Sequence, residues 1–140
     1  MTMARQKSTR RPRLHLCAAA WTLTGYPTPK KEWSIDTKVK RAADAGFDAI
    51  SAGAIDEWVE AARKYGLGYV GGVDVGRKSE AERKLRAFKR LGVVHINIQL
   101  CDHDTETRDA VKVARKVMQV GASLDLAPAI EVHRDTCTET

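Results

Sequence analysis

No stretch of the chain approaches the roughly 18 consecutive apolar residues of a membrane-spanning helix, so none is expected. The N-terminus, M-T-M-A-R-Q-K-S-T-R-R-P-R, lacks the apolar centre of a secretory signal. Cysteine is scarce. Cys17, Cys101 and Cys137 are odd in number, far apart and outside any C-x-x-C pair, which argues against a disulfide framework or a zinc ribbon. They read as small packing residues, and the usage fits a reducing cytoplasm. No G-x-G-x-x-G follows the first apolar run and no Walker A loop occurs, so a nucleotide-binding open sheet loses its main support. Acid is missing from the first thirteen residues, which carry Arg5, Lys7, Arg10, Arg11 and Arg13. The rest holds 19 of the 24 bases against all 18 acids, so the net charge of +6 falls to +1 beyond that leader. Residues 1–13 read as a basic, disordered, solvated tail, and the near-neutral body speaks against nucleic acid as the main partner.

What is present is an ordinary globular balance. The 140 residues suffice for one domain with a real core, and they are 43% hydrophobic and 30% charged. Residues 14–20 read as a strand with His15 and Cys17 on one face. The stretch W-T-L-T-G-Y-P-T-P-K-K-E-W follows, and Gly25, Pro27 and Pro29 forbid regular structure there. Its Trp21, Tyr26 and Trp33 either cover a ligand or pack the loop down. Ser34 is a good N-cap, Ile35, Val39, Ala42 and Ala43 recur at helical spacing, and Gly46 stops that helix. Residues 47–52 form a second strand. Ile55, Trp58, Val59 and Ala62 mark a second helix that ends at Gly66.

The pattern repeats. Residues 67–75 read as a third strand. Ser79 and Glu82 form an S-x-x-E capping box ahead of a helix with the stripe Ala81, Leu85, Phe88 and Leu91. Residues 93–100 alternate strictly, with Val94, Ile96, Ile98 and Leu100 on one face and His95, Asn97 and Gln99 on the other. A fourth helix has Ala110, Val113, Ala114, Val117 and Met118 inward and ends at Gly121. A fifth strand begins at Ala129. In it Ile130 and Val132 pack on a helix layer, while Glu131 and His133 face the interior. A buried carboxylate and imidazole are costly unless paired, metal-bound or wet, which points to a site.

Regular β-α alternation with short connections means parallel strands and right-handed crossovers. The fold class is therefore α/β, with about five strands and four helices. Either an open doubly wound sheet or a (β/α)8 barrel satisfies the alternation, and a complete barrel needs about 250 residues. Polar residues recur on one face of successive strands: His15, Asn97, Gln99, Glu131 and His133. A doubly wound sheet has no wet face for them. A partial TIM barrel, with a polar mouth at the carboxyl ends of its strands, is the expectation.

Four segments carry a family likeness: W-S-I-D-T-K-V-K-R-A-A-D-A-G-F-D-A-I, the third strand with its G-G-V-D ending, H-I-N-I-Q, and E-V-H-R-D-T. Together, over residues 14–140, the chain resembles the xylose-isomerase-like TIM-barrel superfamily, in its sugar phosphate isomerase/epimerase branch. The resemblance implies one divalent metal (Mn, Mg, Co or Zn) at the barrel mouth, with Glu131 matching the first ligand, at the end of the fifth strand. The other ligands of that family come from later strands, so the ligand set is incomplete in this chain. The resemblance further implies metal-assisted proton transfer next to a carbonyl, with Glu131 near the carbon that loses its proton; His133, the second catalytic candidate, either binds substrate or orients Glu131. Trp21, Asp74, Gln99, His103 and Arg134 are the expected contacts to a carbohydrate or related hydroxy-carbonyl substrate. These residues are then the N-terminal part of a barrel, truncated after the fifth strand and inactive alone, with a homo-oligomer or a missing C-terminal half completing them. Two alternatives stand beside this. One is a metal-dependent endonuclease-like phosphodiesterase of the same superfamily using His103 and the basic tail, although the third strand lacks the His usual there. The other is a non-enzymatic half-barrel that associates with a partner.

Each polar residue also has a structural reading. Glu131 could be an ion pair with its neighbours, Asn97 and Gln99 could be interior packing, and Asp74 could cap a helix. His103 could be solvated. His15 and His95 lie deeper in their strands and read as structural.

Overall fold

The computed structural model describes residues 14–139. The basic leader, residues 1–13, therefore lies outside the described residues. The element order is β1 (Cys17–Ala19), α1 (Ile35–Asp44), β2 (Ala49–Ala52), α2 (Asp56–Lys64), β3 (Gly68–Val75), α3 (Lys78–Arg90), β4 (His95–Leu100), α4 (Thr107–Ser123) and β5 (Ala127–Ile130). The loop between β1 and α1 holds only two 3-10 turns, Ala20–Leu23 and Pro29–Lys31. Local chemistry sets the first three helix ends. The Thr37 N–H donates to Ser34 Oγ at 3.2 Å at the start of α1. Gly46, Gly66 and Gly92 sit just past α1, α2 and α3 with φ of 86°, 72° and 72°, a conformation that costs glycine nothing.

All five strands are parallel and lie in the order β1-β2-β3-β4-β5. Consecutive parallel neighbours joined by right-handed crossovers place every helix on the same face. The sheet is thus wound in one direction only, as consecutive units of a (β/α) barrel are, and the doubly wound alternative falls away. The register agrees. Ala18, Ile50 and Tyr69 are aligned across β1, β2 and β3, and Val73 and Val75 align with Ile98 and Leu100. This row faces the helices and supplies most of the buried strand residues. The other row contains Cys17, Ala19, Ser51, Gly72, Asn97, Gln99 and Ala129, and no element of the described residues covers it.

The helix side holds two cores. The larger packs Leu85 and Phe88 of α3 and Val113, Val117 and Val120 of α4 on Val75, Ile96, Ile98 and Leu100. The smaller packs Val39 and Ala42 of α1 and Trp58, Ala61 and Ala62 of α2 on Ala18 and Ile50. Tyr69 touches both.

Several local expectations need correction. β1 is three residues long rather than seven. Residues 14–16 form no strand, although Leu16 is tied to Asp48: the Asp48 side chain accepts the Leu16 N–H at 3.0 Å, and the Asp48 N–H donates to the Leu16 carbonyl. Val94 precedes β4 and is exposed, although it shares the apolar alternation. The capping box does not form, because α3 begins at Lys78 and its N-cap, Arg77, makes no side-chain cap bond. Met118 is 47% exposed, since Val113, Val117, Val120 and Gly121 hold the inward face of α4. Gly121 does not stop α4, which runs on to Ser123. β5 starts at Ala127, takes in Pro128 and ends at Ile130, so Glu131 and His133 follow the strand rather than sit in it. Pro128 is tolerated because β5 is an edge strand. Val132 is 82% exposed and Ile130 is partly so, because no described helix packs over the end of β5.

Candidate functional site

A cavity of about 490 Å³ opens on the uncovered face at the carboxyl ends of the strands. Ala19 and Ala20 form its floor at β1, Ser51, Ala52 and Gly53 at β2, Gly72 and Asp74 at β3, and Asn97 and Gln99 at β4. Glu131 and His133, just past β5, close one side. Trp21 and Lys38, which follow β1, stand on the other side, and Trp58 of α2 also lines the cavity. Ligands of parallel α/β folds bind at this end of the strands, where loops diverge and helix N-termini gather.

Glu131 is fixed from two directions. Its N–H donates to the Ile98 carbonyl at 2.9 Å, which extends the β4–β5 ladder by one bond. Asn97 Nδ2 donates to Glu131 Oε2 at 2.7 Å. The other carboxylate oxygen, Oε1, has no protein donor among the described residues. Asn97 therefore holds Glu131 rather than filling the interior, and the structure shows no ion pair between Glu131 and either His133 or Arg134. The backbone after Glu131 is tied by a threonine knot. Thr138 Oγ1 donates to the Glu131 carbonyl at 3.1 Å and accepts the His133 N–H at 3.1 Å. Thr136 Oγ1 donates to the His133 carbonyl at 2.7 Å, and Thr136 is buried. His133 Nδ1 lies 2.5 Å from the Arg134 carbonyl, which orients the ring.

The structure brings together Trp21, Asp74, Gln99, Glu131 and His133. It leaves two expected contacts outside. His103 is exposed in the loop after β4, with Nε2 3.4 Å from Asp104. Arg134 is exposed and does not line the cavity. His15 and His95 lie at the amino ends of β1 and β4, away from the cavity. Of the loop aromatics, Tyr26 and Trp33 pack edge to face at 4.7 Å, with Arg41 over Trp33, so they pin the loop. Trp21 is 76% exposed and faces the cavity.

The cysteines divide. Cys101 and Cys137 pack against the larger core, and burial together with Cys137 pushes the Cys101 thiol up to about 11. Cys17 lines the cavity, and desolvation raises its thiol pKa, which disfavours the thiolate.

Lys38 and the threonine knot had not been expected from the sequence. Lys38 is 6% exposed and donates Nζ to Glu32. Its signal was the α1 stripe itself, because Ile35, Lys38, Val39 and Ala42 fall at i, i+3, i+4 and i+7. A lysine on an inward stripe departs from the rule that lysine stays outside. The knot carries no local signal, since it depends on where the chain turns back after Glu131.

The donor set does not by itself make a metal centre. Among the described residues, no three of His, Cys, Asp and Glu converge closely enough to hold an ion, and a lone carboxylate holds a divalent cation poorly. No helix is long and apolar enough to cross a membrane among the described residues. Fold and cavity together define a class: a singly wound parallel α/β protein with a polar cavity at the carboxyl ends of its strands. Comparison with known proteins narrows this no further, since no family model matches the chain and no curated protein matches it.

Proposed function

We propose that the cavity is the substrate-binding wall of a sugar isomerase/epimerase-like protein of the xylose-isomerase-like class. The observation that supports this is Glu131, held through one oxygen by Asn97 and left with a free Oε1 at the cavity wall. Removing a proton next to a carbonyl needs a base held within hydrogen-bond reach of that carbon, and a carboxylate clamped through its second oxygen meets the positional part of that need. Gln99, Asp74 and His133 supply donors and acceptors for hydroxyl groups, and Trp21 supplies an apolar face for a sugar ring. A divalent cation would stabilise charge on the substrate oxygen. Glu131 is its one expected ligand here, and the described residues add no complete set. Binding precedes chemistry, so binding is the readout.

The test follows tryptophan fluorescence while D-fructose is titrated, with and without Mn²⁺. A saturable change is expected, and Glu131→Gln should weaken binding roughly tenfold, the effect of one hydrogen bond to a charged group. Gln keeps the shape and can still accept from Asn97, so the fold is retained. Absence of saturation, or an affinity that Glu131→Gln leaves unchanged, rules the reading out. The phosphodiesterase alternative has less support here, because His103 lies outside the cavity.

A further inference from the structure

We infer that Lys38 is the anion-binding centre of the cavity, and that the ligand is a polyhydroxy compound with a terminal carboxylate or phosphate. The polyhydroxy part rests on the carbohydrate reading of the same cavity; the anion does not. Lys38 belongs to the first turns of α1, beyond the carboxyl end of β1, and its side chain is buried. An ammonium group carries three N–H donors. Glu32 takes one of them, and no other acceptor bonds Lys38 among the described residues. A buried cation with unused donors is costly unless something meets them. Lys38 lines the cavity, so the space those donors can reach is the ligand's space.

The placement of charge says which end of a ligand lies there. β1 and β5 are the two edges of the sheet. Lys38 follows β1, whereas Glu131 follows β5 and Asp74 lies near the end of β3. The cavity therefore carries the Lys38–Glu32 pair on one wall and the Asp74 and Glu131 carboxylates on the other. An anionic ligand group is repelled by the Asp74 and Glu131 side and attracted to the Lys38 side, which fixes the direction of binding. Trp21 and Trp58 line the same cavity and can take the apolar face of the adjoining carbon chain. Glu32 is half-exposed and holds the ammonium in the absence of ligand.

Three probes test this in low-salt buffer without metal: D-fructose 6-phosphate, D-gluconate and D-fructose. At least one anionic probe should bind roughly tenfold more tightly than D-fructose. Whether the phosphate or the carboxylate gains the advantage identifies the anion. Lys38→Met should abolish the advantage and Lys38→Arg should keep it. Glu32→Gln distinguishes a binding role from a structural one. Removing the competing carboxylate should tighten anion binding several-fold, whereas a mere loop tether predicts the same loss in Glu32→Gln as in Lys38→Met. Equal losses overturn the inference, as does the absence of an anion advantage in the unaltered protein. If D-fructose still binds in that last case, the Glu131 reading stands; if none of the three probes binds, the cavity reading itself falls. Far-ultraviolet circular dichroism confirms that each variant is folded.

Discussion

Gly121 sits where α4 comes closest to β5. A Cβ there would lie 2.6 Å from Pro128 Cγ and 2.8 Å from Pro128 Cδ. A proline ring has little freedom to give way, so the contact requires hydrogen at this position. Gly121→Ala is expected to destabilise the fold by about 1–3 kcal/mol, as overpacking does. Urea denaturation should show a lower midpoint with an unchanged slope. Gly71 has the same role under Phe88, whose ring a Cβ would approach to 2.7 Å. These two glycines differ from Gly46, which has open space and a positive φ. In sequence Gly46 and Gly121 both look like punctuation, and Gly71 is one residue of a strand. Only the packing separates a glycine that ends a helix from one that lets a helix touch a strand, and so Gly121 was misread as a stop.

At the scale of elements, α1 and α2 are joined through Asp36. Its carboxylate accepts from Lys64 Nζ at 2.6 Å and from the Tyr65 hydroxyl at 2.8 Å. The Lys64 hydrogen bond, then that of Tyr65, holds the Asp36 pKa below its ordinary value. A carboxyl group lowered in the folded state contributes stability above its unfolded pKa, and that contribution is lost as pH falls through the lowered native value. Stability should therefore decline on the acid side, and Asp36→Asn should flatten that limb by lowering stability at neutral pH, where the Asp36 contribution is fully present, towards the value both proteins share in acid. Thermal unfolding of both proteins across the acidic range measures it. An identical acid limb in the variant would contradict the assignment. The elements themselves were readable in sequence. Helical stripes, the Ser34 cap and the glycines after α1, α2 and α3 place α1, α2, α3 and most of α4, because those signals are local. The span of β5 was not readable, because its end depends on ladder bonds to β4. Lys38 was overlooked because its neighbours in the stripe are apolar.

The whole molecule divides unevenly about its sheet. The larger core holds most of the big, fully buried side chains, including Phe88, Leu85, Ile96, Ile98 and Val117. The smaller is mostly alanine, with Val39, Ile50 and Trp58. Apolar area buried sets local stability to first order, so the two regions should open at different free energies. Native-state hydrogen exchange should find the slowest amides in β3, β4, α3 and α4, and faster exchange in β1, β2 and α1. Uniform protection across all five strands would show that the two cores unfold as one unit. The cavity straddles this division. Lys38 and Trp21 lie on the less stable side, and Asn97, Gln99 and Glu131 border the more stable side. A ligand that bridges the walls should raise protection in β1 and α1 most.

Taken by itself, the sequence determined the α/β class, the order of the elements, the parallel strands and the face on which polar residues gather. All of these follow from period, caps and alternation, which act over a few residues. Tertiary structure alone decided that Asn97 holds Glu131, that Lys38 shares a cavity with a carboxylate from the opposite sheet edge, and that His103 and Arg134 stay outside. Those outcomes depend on register between strands and on close approach between elements distant in the chain, and no local pattern encodes either.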